Sequence, residues 1–347
     1  MQKRKKQTAI KKESAVLDYS KTQWLGADLR NLKAHLIEHI DLISQYPERE
    51  AETIIRLLSR RLEVSEKSLI VTDGSTGAFH LIASGEPAAK SLLLTPTNSE
   101  FAHALRRAGH EVVEQSGVTD LSKLELEGIS YLWISNPNAP DGRFYSRRSM
   151  LKLLRENPDV TVIVDLSIAG FVIEENLKAS DVQKYKNLIV VSSFSNVYNV
   201  PGIRVGYVVA SPSRIEAFHK IYTPLCIGTL ALEATRFILL HPAQLTIPIR
   251  KWLRAANELS SKLASMERVN VLPSHTPFFI LELEGIKGQD LAEYLMNEHR
   301  VKVGTQDDDI QLADNQVTIT ALPQSEANER LLQGISSFIS SLGTSEE

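Results

Sequence analysis

The stretch VVSSFSNVYNVPGIRVGYVVAS, Val190 to Ser211, runs apolar, breaks into a polar turn and returns to apolar residues. The same kind of unit recurs between about residues 68 and 211: a short β-branched run, a polar turn, then a helical stretch. The runs are SLIVTDG, SLLLTPT, YLWISNP, VTVIVDLS, LIVVSSF and RVGYVVAS, most of them apolar along their whole length. Strands of that kind are buried on both faces. The segments between them, such as EFAHALRRAGHE and SRRSMLKLLRENP, carry apolar residues at helical spacing. The pattern predicts an α/β fold with a mostly parallel sheet between helices, and ligands in such folds sit beyond the strand ends.

After LLHPAQLTIPIR, an amphipathic stretch from roughly Lys251 to Met266 precedes TPFFILEL, a helix and QVTITAL, which reads as a small α+β domain. The predicted organisation is a disordered basic tail (1–16), an N-terminal arm packing on the small domain (17–44), a large cofactor-type domain (45–245) and a small C-terminal domain (246–347). With 39 basic and 42 acidic side chains the net charge is -3, so the overall balance points to neither nucleic acid nor an anionic membrane. The single cysteine, Cys226, excludes an internal disulfide and suits a reducing compartment. No apolar run is long enough to span a bilayer, and the start MQKRKKQTAIKKESAV has no signal-peptide core. A cytoplasmic location is expected.

Three features of the large domain carry chemistry. Gly74-Ser75-Thr76 stands between a predicted strand and a helix, where free backbone N–H groups and the positive end of the helix dipole suit a phosphate; it is also a common helix cap. Asp165 ends a buried strand, where a carboxylate is costly unless a cation, such as a protonated ring nitrogen, or a capping contact meets it. Ser193, Asn196 and Arg204 have the spacing S-x-x-N-x7-R, with the hydroxyl and the guanidinium placed to clamp an anion. His80, His103 and His110 lie on separate predicted helical faces, so no metal site is expected, and Ser193 has no histidine and acid arranged around it for acyl transfer.

In their order and spacing, LDYS, QYPE, DGSTGAF, NPNAPDG, Asp165 and the opening block resemble the fold-type-I pyridoxal-phosphate enzymes (class I/II aminotransferases). The nearest branch is that of histidinol-phosphate aminotransferase and threonine-phosphate decarboxylase, and the resemblance implies a large domain with a mostly parallel seven-stranded sheet between helices, plus a small α+β C-terminal domain. The resemblance implies that Gly74, Ser75, Thr76, Ser193 and Arg204 hold the cofactor phosphate and that Asp165 pairs with the pyridine nitrogen. It also implies that Tyr46 reaches the phosphate of a neighbouring subunit, and therefore a homodimer.

The same resemblance places the catalytic lysine at Asn196, and an amide neither forms an imine nor acts as a general base near neutral pH. Lys184, Lys186 and Lys220 are poorly placed to replace it. The asparagine that bonds the cofactor's phenolic oxygen is Ala139, its assisting tyrosine is Ile168, the stacking ring is Asn98 with Phe101 a displaced substitute, and the substrate-clamping arginine is Thr318. Each lost anchor is worth about 1–3 kcal/mol. The expectation is a degenerate aminotransferase homologue, a pseudoenzyme that keeps a cup for a small phosphorylated ligand and binds pyridoxal phosphate non-covalently if at all. The alternative is an active aminotransferase or amino-acid-phosphate decarboxylase with an unusual site.

Overall fold

Strands with unbroken apolar sequence pair stably only where helices cover both sheet faces, and the computed structural model, which describes residues 15–306 and 311–343, builds that arrangement. The first fourteen residues of the basic tail lie outside the described residues. The strands are β1 (Leu17–Asp18), β2 (Leu69–Thr72), β3 (Lys90–Thr95), β4 (Glu111–Ser116), β5 (Tyr131–Ser135) and β6 (Thr161–Asp165). There follow β7 (Leu188–Ser193), β8 (Gly206–Val209), β9 (Val269–Val271), β10 (Phe278–Leu283), β11 (Val301–Lys302) and β12 (Gln316–Thr320). The helices are α1 (Arg30–Glu38), α2 (Glu52–Leu62), α3 (Gly74–Gly85), α4 (Ser99–Arg107) and α5 (Arg147–Glu156). The rest are α6 (Pro212–His219), α7 (Thr229–Leu240), α8 (Ile249–Ala264), α9 (Gly288–His299) and α10 (Ser325–Gly343).

Seven strands form the main sheet in the order β2-β8-β7-β6-β5-β3-β4, parallel except for β8. Leu132, Ile134, Val162 and Val164 face one apolar cluster, while Tyr131, Trp133, Ile163 and Val191 face the other, as strand alternation requires. The parallel strands end along one edge of the sheet. There Thr72 of β2 and Ser193 of β7 both pair with Gly206 of β8, and Asp165 of β6 pairs with Val191.

A second cluster joins α8, α9 and α10 to the sheet β12-β10-β9. The arm divides between the two cores. Leu17 and Asp18 pair with Val301 and Lys302, Tyr19 is fully buried against the small sheet, and its hydroxyl donates to the Ala327 carbonyl at 2.8 Å. Leu32 of α1, by contrast, is buried in the large core, where α1 packs on α7 rather than on the C-terminal elements. Among the described residues, no helix is long and apolar enough to cross a membrane.

One glycine fixes the edge where the motifs meet. A Cβ on Gly206 would stand 2.6 Å from the Gly74 carbonyl carbon and 2.9 Å from the Ser192 oxygen, both backbone atoms that cannot swing away. Gly206→Ala is expected to destabilise the chain by about 2 kcal/mol or more, while Gly202→Ala, which meets nothing within 4 Å, should be neutral or slightly stabilising. Urea unfolding of the two variants checks the contrast.

Candidate functional site

The turn from β2 into α3 is held open from both sides. Gly74 has a φ of +86°, a conformation that favours glycine, and its carbonyl accepts from Thr72 Oγ1 at 2.8 Å. The Arg204 guanidinium lies so close that a Cβ on Gly74 would be 2.5 Å from Nη2. Arg204 itself sits at φ +47°, unusual for a non-glycine residue, and its Nη1 donates to Ser195 Oγ at 3.3 Å and to the Pro201 carbonyl at 3.4 Å. Gly74, Ser75 and Thr76 form the first turn of α3, Ser193 ends β7 across the Gly206 row, and the structure thus gathers five predicted residues at one edge.

Two further residues belong to this turn and escaped the sequence reading. Ser195 is buried and touches Arg204, a role its place beside Asn196 does not announce. Asp73 precedes α3 and leans over its first turn, where its Oδ1 takes the space that a Cβ on Gly77 would occupy. A carboxylate there is favoured by the helix dipole and competes with any incoming anion.

Asp165 is buried at the end of β6, and its Oδ1 accepts from the Ser167 amide at 2.9 Å and the Ser167 hydroxyl at 2.5 Å. Burial pushes its pKa up to about 6, and the two Ser167 bonds limit the rise. The carboxylate therefore caps its own turn, one of the two roles open to it from sequence.

Beside these polar groups lies an apolar cluster. Ile168 packs with Trp24, Phe171, Trp252 and Phe278, and Ala139 and Val197 lie against the same group. Trp24 stands 4.8 Å from Trp252 between ring centroids, and Phe171 stands 5.0 Å from Trp252. The Trp24 amide donates to the Asn196 carbonyl at 3.0 Å, and Gln23 Nε2 donates to Asn199 Oδ1 at 3.1 Å. The arm is thereby stitched onto the turn that carries Asn196.

Other expected residues take different places. Asn98 is the N-cap of α4, accepting from the Glu100 amide at 3.0 Å. Phe101 is no displaced stacking ring: it is fully buried against Phe79 and Trp133, with centroids 4.7 and 5.4 Å away, because it faces the core side of α4. Thr318 is buried in β12 with its hydroxyl against Gly304, inside the small domain. Tyr46 points outward and is 91% exposed. His80 on α3 and His103 on α4 both approach Glu100, at 3.7 and 3.4 Å; His110 is separate and bonds to Ser91 and the Ala83 carbonyl.

The architecture, with its reversed β8 and the arm folded back on the small sheet, has counterparts of known sequence. The family pattern "Aminotransferase class I and II" matches residues 32–335. The chain belongs to the class I and II aminotransferase family. This family member is similar to the L-threonine-O-3-phosphate decarboxylase of Porphyromonas gingivalis, with a TM-score of 0.91 and 34% identity over 94% of this chain and 100% of that one. The histidinol-phosphate aminotransferase of Clostridium acetobutylicum shares its fold, with a TM-score of 0.82 and 19% identity over 93% of this chain and 99% of that one. In sequence it is 25% identical to the histidinol-phosphate aminotransferase of Geobacillus thermodenitrificans over 276 residues, 76% of this chain and 75% of the relative. The fold relative from Sinorhizobium meliloti was solved with pyridoxal-5'-phosphate.

The raised Asp165 pKa has a stability consequence. Below about pH 4 the group is protonated in both folded and unfolded chains and contributes nothing; between about 4 and 6 only the unfolded chain releases its proton, so stability falls as pH rises through that window. Above it the cost stays, at about 3 kcal/mol for a shift of roughly two units. Asp165→Asn, whose amide oxygen still accepts from Ser167, is expected to be more stable than the parent at pH 8 and nearly equal to it at pH 4. Urea midpoints at the two pH values measure this.

Proposed function

We propose that this aminotransferase-family chain carries out no Schiff-base chemistry and instead holds a small phosphorylated ligand in the turn formed by Gly74, Ser75, Thr76, Ser193, Ser195 and Arg204. The observation that carries the reading is the apolar cluster of Trp24, Ile168, Ala139 and Val197 beside Asn196, where the resemblance calls for a lysine and two polar ring anchors. Pyridoxal phosphate fits these residues at one end only. The guanidinium, the hydroxyls and the α3 N-terminus suit its phosphate, and Asp165 suits its ring nitrogen. At the other end Asn196 supplies no amine, Ala139 and Ile168 no hydrogen bond, and Asn98 is engaged as a helix cap. When bound covalently in active relatives, the cofactor stabilises charge at the substrate α-carbon, and this chain's residues do not provide for that linkage.

A second reading is supported by the 34% identity, over nearly the whole chain, to a threonine-phosphate decarboxylase. In that reading the chain is an active pyridoxal-phosphate enzyme with an unusual site. Pyridoxal phosphate added to purified protein separates the two. Our reading expects no Schiff-base absorbance band and no mass gain after borohydride reduction, and a stoichiometric adduct on any lysine would overturn it. Inorganic phosphate should compete with the ligand at the cup. Arg204→Ala should weaken anion binding about 10- to 100-fold, as for loss of one charge-assisted contact, and Asp73→Asn should strengthen it. Calorimetric titration reads both.

Asn196→Lys alone is expected to give no turnover with amino-acid phosphates, because the ring anchors stay absent; appreciable turnover would favour the active-enzyme reading. A homodimer is part of the proposal, supported by the exposed row Ile37, Ile40, Ile43 and Tyr46, which a second copy would cover. Sedimentation of the same samples reports the assembly state.

A further inference from the structure

The helix α1 that follows Trp24 carries His35, and His39, four residues on, is its C-cap, so the two rings lie on one side of the helix end. Their rings are 4.1 Å apart between centroids. Across from them α7 presents Glu233, whose Oε1 touches His35 Nε2. Among the described residues this is the one group of three in which every His, Cys or carboxylate ligand atom lies within 4.8 Å of the others.

Each member is prepared for coordination by its surroundings. His39 Nδ1 lies 2.8 Å from the His35 carbonyl, which can only accept, so Nδ1 carries the proton and the neutral ring keeps its lone pair on Nε2. Glu233 is held in place by Arg236, whose Nε and Nη2 donate to its two carboxylate oxygens at 2.8 and 2.5 Å. Phe237 packs on His35 at 4.9 Å and limits its rotation. The His35 and Glu233 side chains are only 18% and 11% exposed.

We propose that His35, His39 and Glu233 bind one late first-row divalent cation of the zinc class, with water completing the coordination. Two imidazoles and a carboxylate form a donor set that such ions prefer, and hard alkaline-earth ions are disfavoured by the nitrogen ligands. Ligand bonds of about 2.0–2.1 Å place tetrahedral donor atoms about 3.3 Å apart. The His35–Glu233 contact opens and the His39 ring swings inward to meet that spacing, movements within reach of side-chain rotation. The ion would staple α1 to α7, and with α1 the adjoining segment that bonds Asn196.

The test uses the full chain without a histidine tag, stripped with chelator and titrated with Co²⁺, then with Zn²⁺ in competition. One equivalent per chain, a visible d–d band of four-coordinate cobalt, and a chelator-reversible rise in melting temperature are expected. His39→Ala should lower affinity at least about tenfold, Glu233→Gln should do likewise, and His80→Ala with His103→Ala should leave uptake unchanged. His39→Gln, checked by circular dichroism, separates loss of a ligand from loss of fold. No stoichiometric uptake by the parent, or uptake equal in the parent and in folded His39→Gln, would overturn the assignment.

Discussion

The α-carbon of Gly206 rests against the backbone of Gly74, and that contact brings three strands to a common edge. Thr72, Gly206 and Ser193 lie in one row across β2, β8 and β7, with no room for a side chain at the centre. Because β8 alone is reversed, its first residues arrive at the same edge where the parallel strands end. Arg204, two residues earlier, is thereby delivered onto Gly74 with a backbone conformation that non-glycine residues seldom adopt. A local strain of this kind persists where the surrounding structure over-determines it, and here the Gly74–Gly206 approach does so.

The two ends of the site have opposite chemical character. At the phosphate-type end lie the Arg204 guanidinium with the Ser195 hydroxyl against it and the N-terminus of α3. A few residues further on, the environment is aromatic and aliphatic, and burial pushes the pKa of Asp165 up to about 6. An unpaired polar ring substituent placed among Trp24, Ile168 and Ala139 would lose its hydration with no partner in exchange, a loss of about 1–3 kcal/mol for each group. The cluster thus disfavours a polar group at that end, and it gives the arm a packing surface of its own.

The degree to which this was readable from the chain depended on burial. Strands β2, β3, β5, β6, β7 and β8 announce themselves because both faces are covered and apolar residues follow without interruption. β4, with the sequence EVVEQS, is an edge strand with partly exposed, alternating residues, and no unbroken run marks it. Gly74 and Arg204 each stand out within a local motif, a Gly-Ser-Thr turn before a helix and the spacing S-x-x-N-x7-R, and the fold brings the two motifs together, whereas Asp73 and Ser195 beside them do not stand out, because serine and aspartate fill turns for many reasons. Phe101 looked available from its position near Asn98, but helical periodicity turns it into the core beside Phe79. The Trp24–Asn196 contact joins residues far apart in the chain, and no periodicity within either segment encodes it.

The arm connects these observations. It begins as a strand paired with β11, crosses to Asn196 through Trp24, and ends as α1 on α7, so a single short segment touches both cores and the site between them. Conformational freedom lost at one of its anchors lowers the entropic cost of ordering the next. The contact of His35 with the Glu233–Arg236 pair is the last of those anchors, reached through a turn that packs Gly26 against the Trp24 ring. Loosening α1 would therefore free Trp24 before it disturbed the sheet, since β7 and β8 are held by their own ladder and by the Gly206 contact. The apolar cluster joined to Asn196 through the Trp24 amide is thus the part of this site whose stability is set from outside it, whereas the phosphate-type turn is fixed by the sheet itself.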